Sequence, residues 1–318
     1  MNAGVRTRRL ASGLLGRAAG GGSVLFVSAS ITFIALHIMP GDPVMAMLGG
    51  PTADPSPAAI AAARHEYGLD RPLAVQYGLY LWRLLHGDLG VSFSQHMRVA
   101  AVLREQAGPT IVLTLSALAA SWIVALLSVL VTTRRNRWLD GAAASVETVG
   151  ASLPHFWLGI VLLWVFAFRL QWLPPAGNSL AALILPTVSL AIPLGGFIGR
   201  VTRDSFAAAL DQPFVLSART RGLSDWQVRV LHVLRHAVLP GLGLSAWAVA
   251  ALLGNAVVVE TIFSRRGIGR QLFEAVSMQD MPLASGIVLF VTCLYVIASL
   301  LIEMLSALID PRLQGARR

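Results

Sequence analysis

Six stretches of almost unbroken apolar residues alternate with polar segments marked by proline and glycine. They cover residues 18–39, 110–131, 148–168, 183–201, 238–259 and 283–305. A helix of that length, about 19 to 23 residues, extends roughly 28–35 Å. That is enough to cross a hydrocarbon core of ~30 Å. Inside hydrocarbon a backbone must satisfy its own hydrogen bonds, which a helix does segment by segment. The pattern predicts an all-α polytopic membrane protein with six transmembrane helices. The first stretch is too long for the apolar region of a cleaved signal, and His37-Ile38-Met39-Pro40 stands where a small-residue cleavage site would be. It reads as a retained first span.

The intervening segments divide the chain further. Residues 1–17 form a basic amphipathic arm, and residues 40–109 an extracytoplasmic segment. Residues 110–309 hold five spans with a long cytoplasmic loop at 204–237, and residues 310–318 form a cytoplasmic tail. Within the extracytoplasmic segment, 57–68 and 69–85 read as short helices, the second with Tyr77, Tyr80, Leu81 and Leu84 at helical spacing. His86-Gly87-Asp88-Leu89-Gly90 ends it. A further short helix is predicted at 270–277, in the loop before the last span.

Charge orients these spans. All 25 basic residues are arginine. With the N-terminus in the cytoplasm, 16 of the 25 fall on inside segments, and the outside segments carry nine arginines against nine acids. The formal charge of +9 therefore lies on one face, as the positive-inside rule requires. The basic balance is thus explained by topology and anionic lipid, and no nucleic acid is implied. The absence of lysine excludes a Walker A loop, whose Lys reaches the nucleotide phosphates. If ATP drives this protein, another subunit hydrolyses it. Cys293 is the single cysteine, so there is no disulfide framework or thiolate metal site. The histidines lack metal-ligand spacing, and no HExxH or nucleophile elbow occurs. The reading is a chain with no catalytic residues, metal or cofactor.

The loop at 204–237 is unusual. Asp211 is a candidate N-cap with Pro213 in the first turn of a helix running to Arg221. Gly222 stops that helix. Ser224 opens a second one, with Gln227 placed to complete a capping box. Val230, Val233 and Leu234 form its apolar face, and arginines stand at 219, 221, 229 and 235. The expected result is a helix–glycine–helix element that either lies on lipid headgroups or docks into a groove on a soluble partner.

Ser217-Ala218-Arg219-Thr220-Arg221-Gly222, followed by Leu223, Ser224 and Asp225 and closed by Leu239-Pro240, resembles the EAA motif of ABC importer permeases in the dipeptide, oligopeptide and nickel group. The resemblance covers nearly the whole chain. It includes Pro40-Gly41-Asp42-Pro43, His86 to Ser92, Ser152, Pro154, Phe156, Trp157 and Gly159, Val259 to Ser264 with Gly267 and Gly269, and Asp310-Pro311-Arg312. Arg265-Arg266 and His236 depart from it, standing where Trp-Pro and Asn are usual. The outer loop at 169–182 is also shorter than in some dipeptide permeases. The resemblance implies the type I ABC importer permease fold in a bacterial cytoplasmic membrane. It also implies a second homologous permease, two cytoplasmic ATPase subunits and an extracytoplasmic binding protein. Ser217 to Asp225 would then couple to the ATPases. The cargo would be peptides, with nickel or a metal chelate as the alternative.

Asp42, Asp88, Glu260, Arg265 and Arg266 are candidates for a gate or a binding-protein contact. Asp42 and Asp88 equally suit turns, and Glu260 equally suits a headgroup-level carboxylate. An ionisable residue at the end of an apolar run normally faces a cavity or a partner. The rival class is a secondary transporter, which should show inverted repeats and broken spans bearing ionisable groups. The spans here are nearly free of charge.

Overall fold

The structure, a computed structural model, describes residues 3–38, 42, 44, 45, 48 and 55–309, with side chains described between 19 and 306. Its helices are α1 (Ala3–Ile38), α2 (Pro57–Glu66), α3 (Leu73–Leu85), α4 (Val99–Thr132), α5 (Arg137–Ser152), α6 (His155–Leu162), α7 (Leu180–Leu210), α8 (Pro213–Thr220), α9 (Asp225–Gln227), α10 (Leu234–Ile262), α11 (Ile268–Ser277) and α12 (Met281–Ile309). A π-helical stretch, Leu163–Arg169, extends α6, and another, Val228–Val233, joins α9 to α10. No strand occurs among the described residues. The fold is all-α, as the apolar pattern predicts.

Five segments are long and apolar enough to cross a membrane: Ala19–Ile38, Val99–Thr132, Leu180–Leu210, Asp225–Ile262 and Met281–Ser306. The sixth is a bent pair, α5 with α6, turning through 98°. The helix expected over 148–168 is therefore broken within that run. Pro154 cannot donate a backbone hydrogen bond, and the residue before it avoids helical geometry. Leu153 is accordingly extended, at φ −75° and ψ 128°. The first arm begins at Arg137, within what the sequence reads as a loop. The second span likewise starts at Val99, eleven residues before its apolar run, and carries Pro109 internally. The loop helix predicted at 270–277 is present as α11.

The chain forms two compact units. The described residues of the first fall within 1–106 and 271–296, those of the second within 107–270 and 297–318. In the first, α1 lies against α12, with Ser28 and Thr292 hydrogen-bonded at 2.9 Å. Across α1 passes α3, where Tyr77 meets Ser30 at 2.6 Å and Gln76 meets His37 at 3.3 Å. A buried carboxylate anchors the loop before α4. Asp280 accepts from the Ser92 hydroxyl at 2.5 Å, the Ser94 hydroxyl at 2.7 Å and the Ser94 amide at 2.9 Å. Its other oxygen accepts from the Leu283 amide at 3.1 Å, in the first turn of α12.

In the second unit, α7 is the central helix, with buried residues along its whole length. Lipid tails are as apolar as leucine, so burial against lipid gives no net drive to pack spans together. Close approach at small residues supplies the contact instead. A Cβ on Gly196 would lie 2.5 Å from the Glu147 carbonyl oxygen and 2.7 Å from the Ala151 nitrogen. At Gly241 it would lie 2.7 Å from the Trp122 ring. Large apolar side chains meanwhile point outward, among them Leu127, Ile160 and Trp164, as a lipid-facing surface requires.

Gly196→Ala is expected to lower the melting temperature of the detergent-solubilised chain, because overpacking a closed contact costs ~1–3 kcal/mol. Gly254→Ala, where nothing lies within 4 Å, should leave it unchanged or raised. Equal melting temperatures for the two variants would refute the close contact between α5 and α7.

Candidate functional site

The helix–glycine–helix loop is an ordered hairpin. Helix α7 ends at Leu210, and Gln212, not Asp211, takes the N-cap position of α8 without a side-chain bond. The expected capping role of Asp211 is thus corrected. The connection is so short that Asp211 still closes α7, and its carboxylate is taken by Arg134. That guanidinium holds the Asp211 carboxyl below the usual carboxylate range.

Helix α8 buries Val215 and Ala218 against Phe206, Val228, Val233 and Ala237. After it the chain closes in a Schellman motif. The Gly222 amide donates to the Arg219 carbonyl at 3.0 Å and the Leu223 amide to the Ala218 carbonyl at 3.4 Å. The motif needs a left-handed residue at the first position beyond the cap, and Gly222 has φ +82°. Ser224 then caps α9 in the predicted capping box, accepting from the Gln227 amide while the Gln227 side chain accepts from the Ser224 amide.

Asp225 ties the two helices together. It accepts from Arg219 at 3.1 Å and from Arg229 at 2.8 Å, and lies 3.9 Å from Arg135. The sequence places Arg229 among the surface arginines of the loop, but the structure buries it at 3% exposure. Its second hand donates to the Thr133 carbonyl at 2.9 Å, and its guanidinium sits over the Phe206 ring. Exposed ion pairs contribute little, around 0–1 kcal/mol each. A buried guanidinium that has lost its water needs both of its partners. Arg221 is laid back on α8 by a 2.9 Å bond to Ser217. The outer surface of the hairpin then presents Leu216 at 68% exposure, Trp226 at 50% and Gly222, with Arg219 and Arg221 beside them.

At the opposite end of the same unit, Glu260 is fully buried. It accepts from the Thr110 hydroxyl at 2.5 Å and from the Arg270 amide at 3.1 Å. A Cβ on Gly267 would overlap its carboxylate, and one on Gly269 would lie 2.7 Å from the Val257 nitrogen. These two glycines let the loop after α10 fold back over the carboxylate. Arg265 is buried too. Burial pushes its guanidinium below the usual range, and it reaches the Gly177 carbonyl at 3.5 Å. Arg266 is exposed, with its backbone amide on the Asn178 side chain. In the first unit, Asp42 pairs with Arg64 at 2.6 Å and accepts from the Val44 amide, while exposed Asp88 accepts from the Gly90 amide at 2.9 Å. Both have the geometry of turn residues.

Sequence reasoning missed a buried cluster in the second unit. Arg203 of α7 clasps Glu147 of α5 with two bonds, of 2.8 and 2.6 Å, and donates to Asp140 at 2.6 Å. Ser128, Thr132 and Thr133 of the α4 end and its turn accept from the same guanidinium. Glu147 sits one residue before the apolar run of the third span, so it reads as a loop acid. The signal that could have found it is an opposite charge, Arg203, at a matching distance from the same membrane face.

With this geometry in place, comparisons with known proteins decide the family. Residues 117–315 match the family described as binding-protein-dependent transport system inner membrane component, and residues 11–114 match its N-terminal counterpart. The chain belongs to this family. A putative peptide transport system permease protein of Brucella abortus is 34% identical over 301 residues, covering 92% of this chain and 95% of that one. The glutathione transport system permease of Salmonella choleraesuis is 33% identical over 294 residues, covering 91% and 94%. An inward-facing structure of the MetNI methionine ABC transporter shares the fold, with TM-score 0.55 and 16% identity over 66% of this chain and 96% of that one.

The chain is an ABC importer permease, a multi-pass protein of the inner membrane, and the secondary-transporter alternative falls away. The permease is not itself an enzyme. ATP hydrolysis lies in separate subunits, and such a permease works with an ATPase, a binding protein and a second permease.

Gly222→Val is expected to reduce ATPase association with the permease, since a left-handed backbone costs a residue other than glycine roughly 1–2 kcal/mol and most for a β-branched one. Gly222→Asn should be milder. Co-purification of ATPase from membranes measures this, and equal recovery from both variants would disprove a role for the Schellman turn.

Proposed function

We propose that this permease forms half of the membrane pathway of a peptide importer. Its companions are a second, different permease chain, two ATPases on the face bearing Gly222 and a peptide-binding protein on the opposite face. Both termini then lie in the cytoplasm. Residues 1–17 form the cytoplasmic arm, 18–39 the first span and 40–109 the extracytoplasmic segment. Residues 110–309 form the core with its coupling loop at 204–237, and 310–318 the tail. The arginine distribution supports this orientation, and full-length similarity to permeases named for peptide and glutathione transport supports the cargo.

One observation carries the mechanism. From Asp225 to Ile262 the helix is continuous, so the second helix of the docking element and the fifth span are one rod. Val215 and Ala218 pack α8 against that rod at Val228 and Val233, with the exposed Arg219–Asp225 pair beside them. ATP-driven closure of the ATPases would press on Leu216, Trp226 and the exposed arginines, and the rod would carry the push into the bundle. The pathway would then open alternately to each side, by differential contacts in two states. The chain performs no covalent step. Glu260 and Thr110 would brace the outer loop of the gate, and Arg266, with Asp42 and Asp88, would meet the binding protein.

Affinity purification from the native host in mild detergent tests this reading. ATPases, a second permease and a binding protein loaded with peptide are expected. A chelated metal in that binding protein would move the cargo to nickel, and recovery without any ATPase after cross-linking through the Gly222 loop would overturn the importer. Arg266→Ala should weaken binding-protein affinity at unchanged assembly, whereas Arg265→Ala should lower stability. Unchanged affinity in Arg266→Ala returns that residue to plain surface charge.

A further inference from the structure

Thr133 holds a singular position between the docking hairpin and the interior of the bundle. Its side chain is buried in the turn after α4. The hydroxyl accepts from Arg203 at 3.2 Å, and the carbonyl of the same residue accepts from Arg229 at 2.9 Å. One residue therefore joins a guanidinium from the docking element to a guanidinium from the central span. On one side, Arg229 is bonded to Asp225, which holds Arg219 of α8. On the other, Arg203 clasps Glu147 in α5, five residues before that helix ends at Ser152 and turns through 98° into α6. The same turn is tied twice more. Arg134 gives its amide to Asp140 at 3.2 Å and its side chain to Asp211.

The bonds from Thr133 to Arg229 and Arg203, and from Arg203 to Glu147, are buried, whereas those of Arg219 and Arg134 are exposed. Arg203 donates to Glu147, Asp140, Ser128, Thr132 and Thr133, so it cannot rotate without breaking several bonds at once. Helix α7 meets α5 at Gly199, where a Cβ would lie 3.2 Å from the Glu147 carboxyl carbon, so the glycine leaves room for the acid beside Arg203. A bent span is an element with two arms and a hinge, and such elements absorb displacement as a change of angle.

We propose that Thr133 and Arg203 are positioning residues of the transport cycle, carrying displacement of the docking hairpin to the broken span through Glu147. This rests on the importer reading. The fifth span receives the push along its own axis. The α5 and α6 pair receives it sideways, through side chains, so two spans respond to one docking event.

The test uses the complete complex in proteoliposomes, with its binding protein and a peptide as the probe. Uptake and ATP hydrolysis are measured in the same vesicles, and their ratio is the readout. Thr133→Val removes the hydroxyl, keeps the side-chain shape and leaves the carbonyl bond to Arg229. The expected result is a fall in peptide carried per ATP of about five-fold or more, with hydrolysis still stimulated by loaded binding protein and with Thr133→Ser restoring the ratio. Glu147→Gln, which keeps the shape but not the charge, should lower the ratio in the same direction and serves if Thr133→Val assembles poorly. An unchanged ratio in either assembled variant overturns the proposal. So does a proportional loss of uptake and hydrolysis, the mark of a purely structural residue. A wild-type complex that neither hydrolyses ATP nor takes up peptide would sink the importer reading itself, and this inference with it.

Discussion

An arginine carried between helices of a membrane bundle has to find every hydrogen-bond acceptor inside the chain. Arg203 does so, and much of the second unit is arranged around it. A guanidinium has five N–H donors. Here Nε goes to Glu147, Nη1 to Asp140 and Thr133, and the two protons of Nη2 are shared among Glu147, Thr132 and Ser128. Desolvation offsets most of the attraction in such a pair, so its net stabilisation is small. Removing one partner is what costs, at ~3–5 kcal/mol. The cluster therefore dictates which faces of α4, α5 and α7 meet. Gly196 on α7 allows the close approach to the α5 backbone at Glu147, and Gly199 leaves space beside the Glu147 carboxyl group.

The same solution recurs wherever a loop must stay closed without help from the hydrophobic effect. Glu260 gathers a threonine hydroxyl and a backbone amide from the loop that folds over it. Asp280, in the first unit, gathers two serine hydroxyls and two amides. Each carboxylate sits beside the end of a span and closes a segment that lacks a large apolar core of its own. A carboxylate accepting several bonds at once is a strong, directional anchor.

Local devices were legible in the sequence. The capping box at Ser224, the stop at Gly222 and the short helix ending at Ser277 depend on residues a few positions apart, and the structure contains all of them. Six apolar runs located six crossings because hydropathy is a local sum. The bend at Pro154 was hidden by that same sum, since Leu153 and Pro154 sit in an apolar run whose average they barely alter. The early start of α4 was hidden by Arg104, Glu105 and Pro109, which read as loop although their helix is simply longer than the membrane run. The Arg203 cluster joins residues 56 to 75 positions apart, which no local pattern reports. Asp211 misled because a cap is a matter of backbone position, and one residue separates closing α7 from opening α8.

The burial of Arg229 shows how a helix type can reassign a residue. On an α-helical wheel, residues five apart stand well round the helix from one another, and Arg229 belongs with the exposed arginines. The segment Val228–Val233 is π-helical, with hydrogen bonds five residues apart. The wider turn brings Val228 and Val233 to the same buried face and carries Arg229 inward beside them. There it reaches Asp225 in one direction and the Thr133 carbonyl in the other. The helix is not interrupted by this change, so the rod from Asp225 to Ile262 stays whole while gaining a lateral attachment to the turn after α4. A strictly α-helical junction would have kept the rod and lost the attachment. A broken junction would have lost the rod.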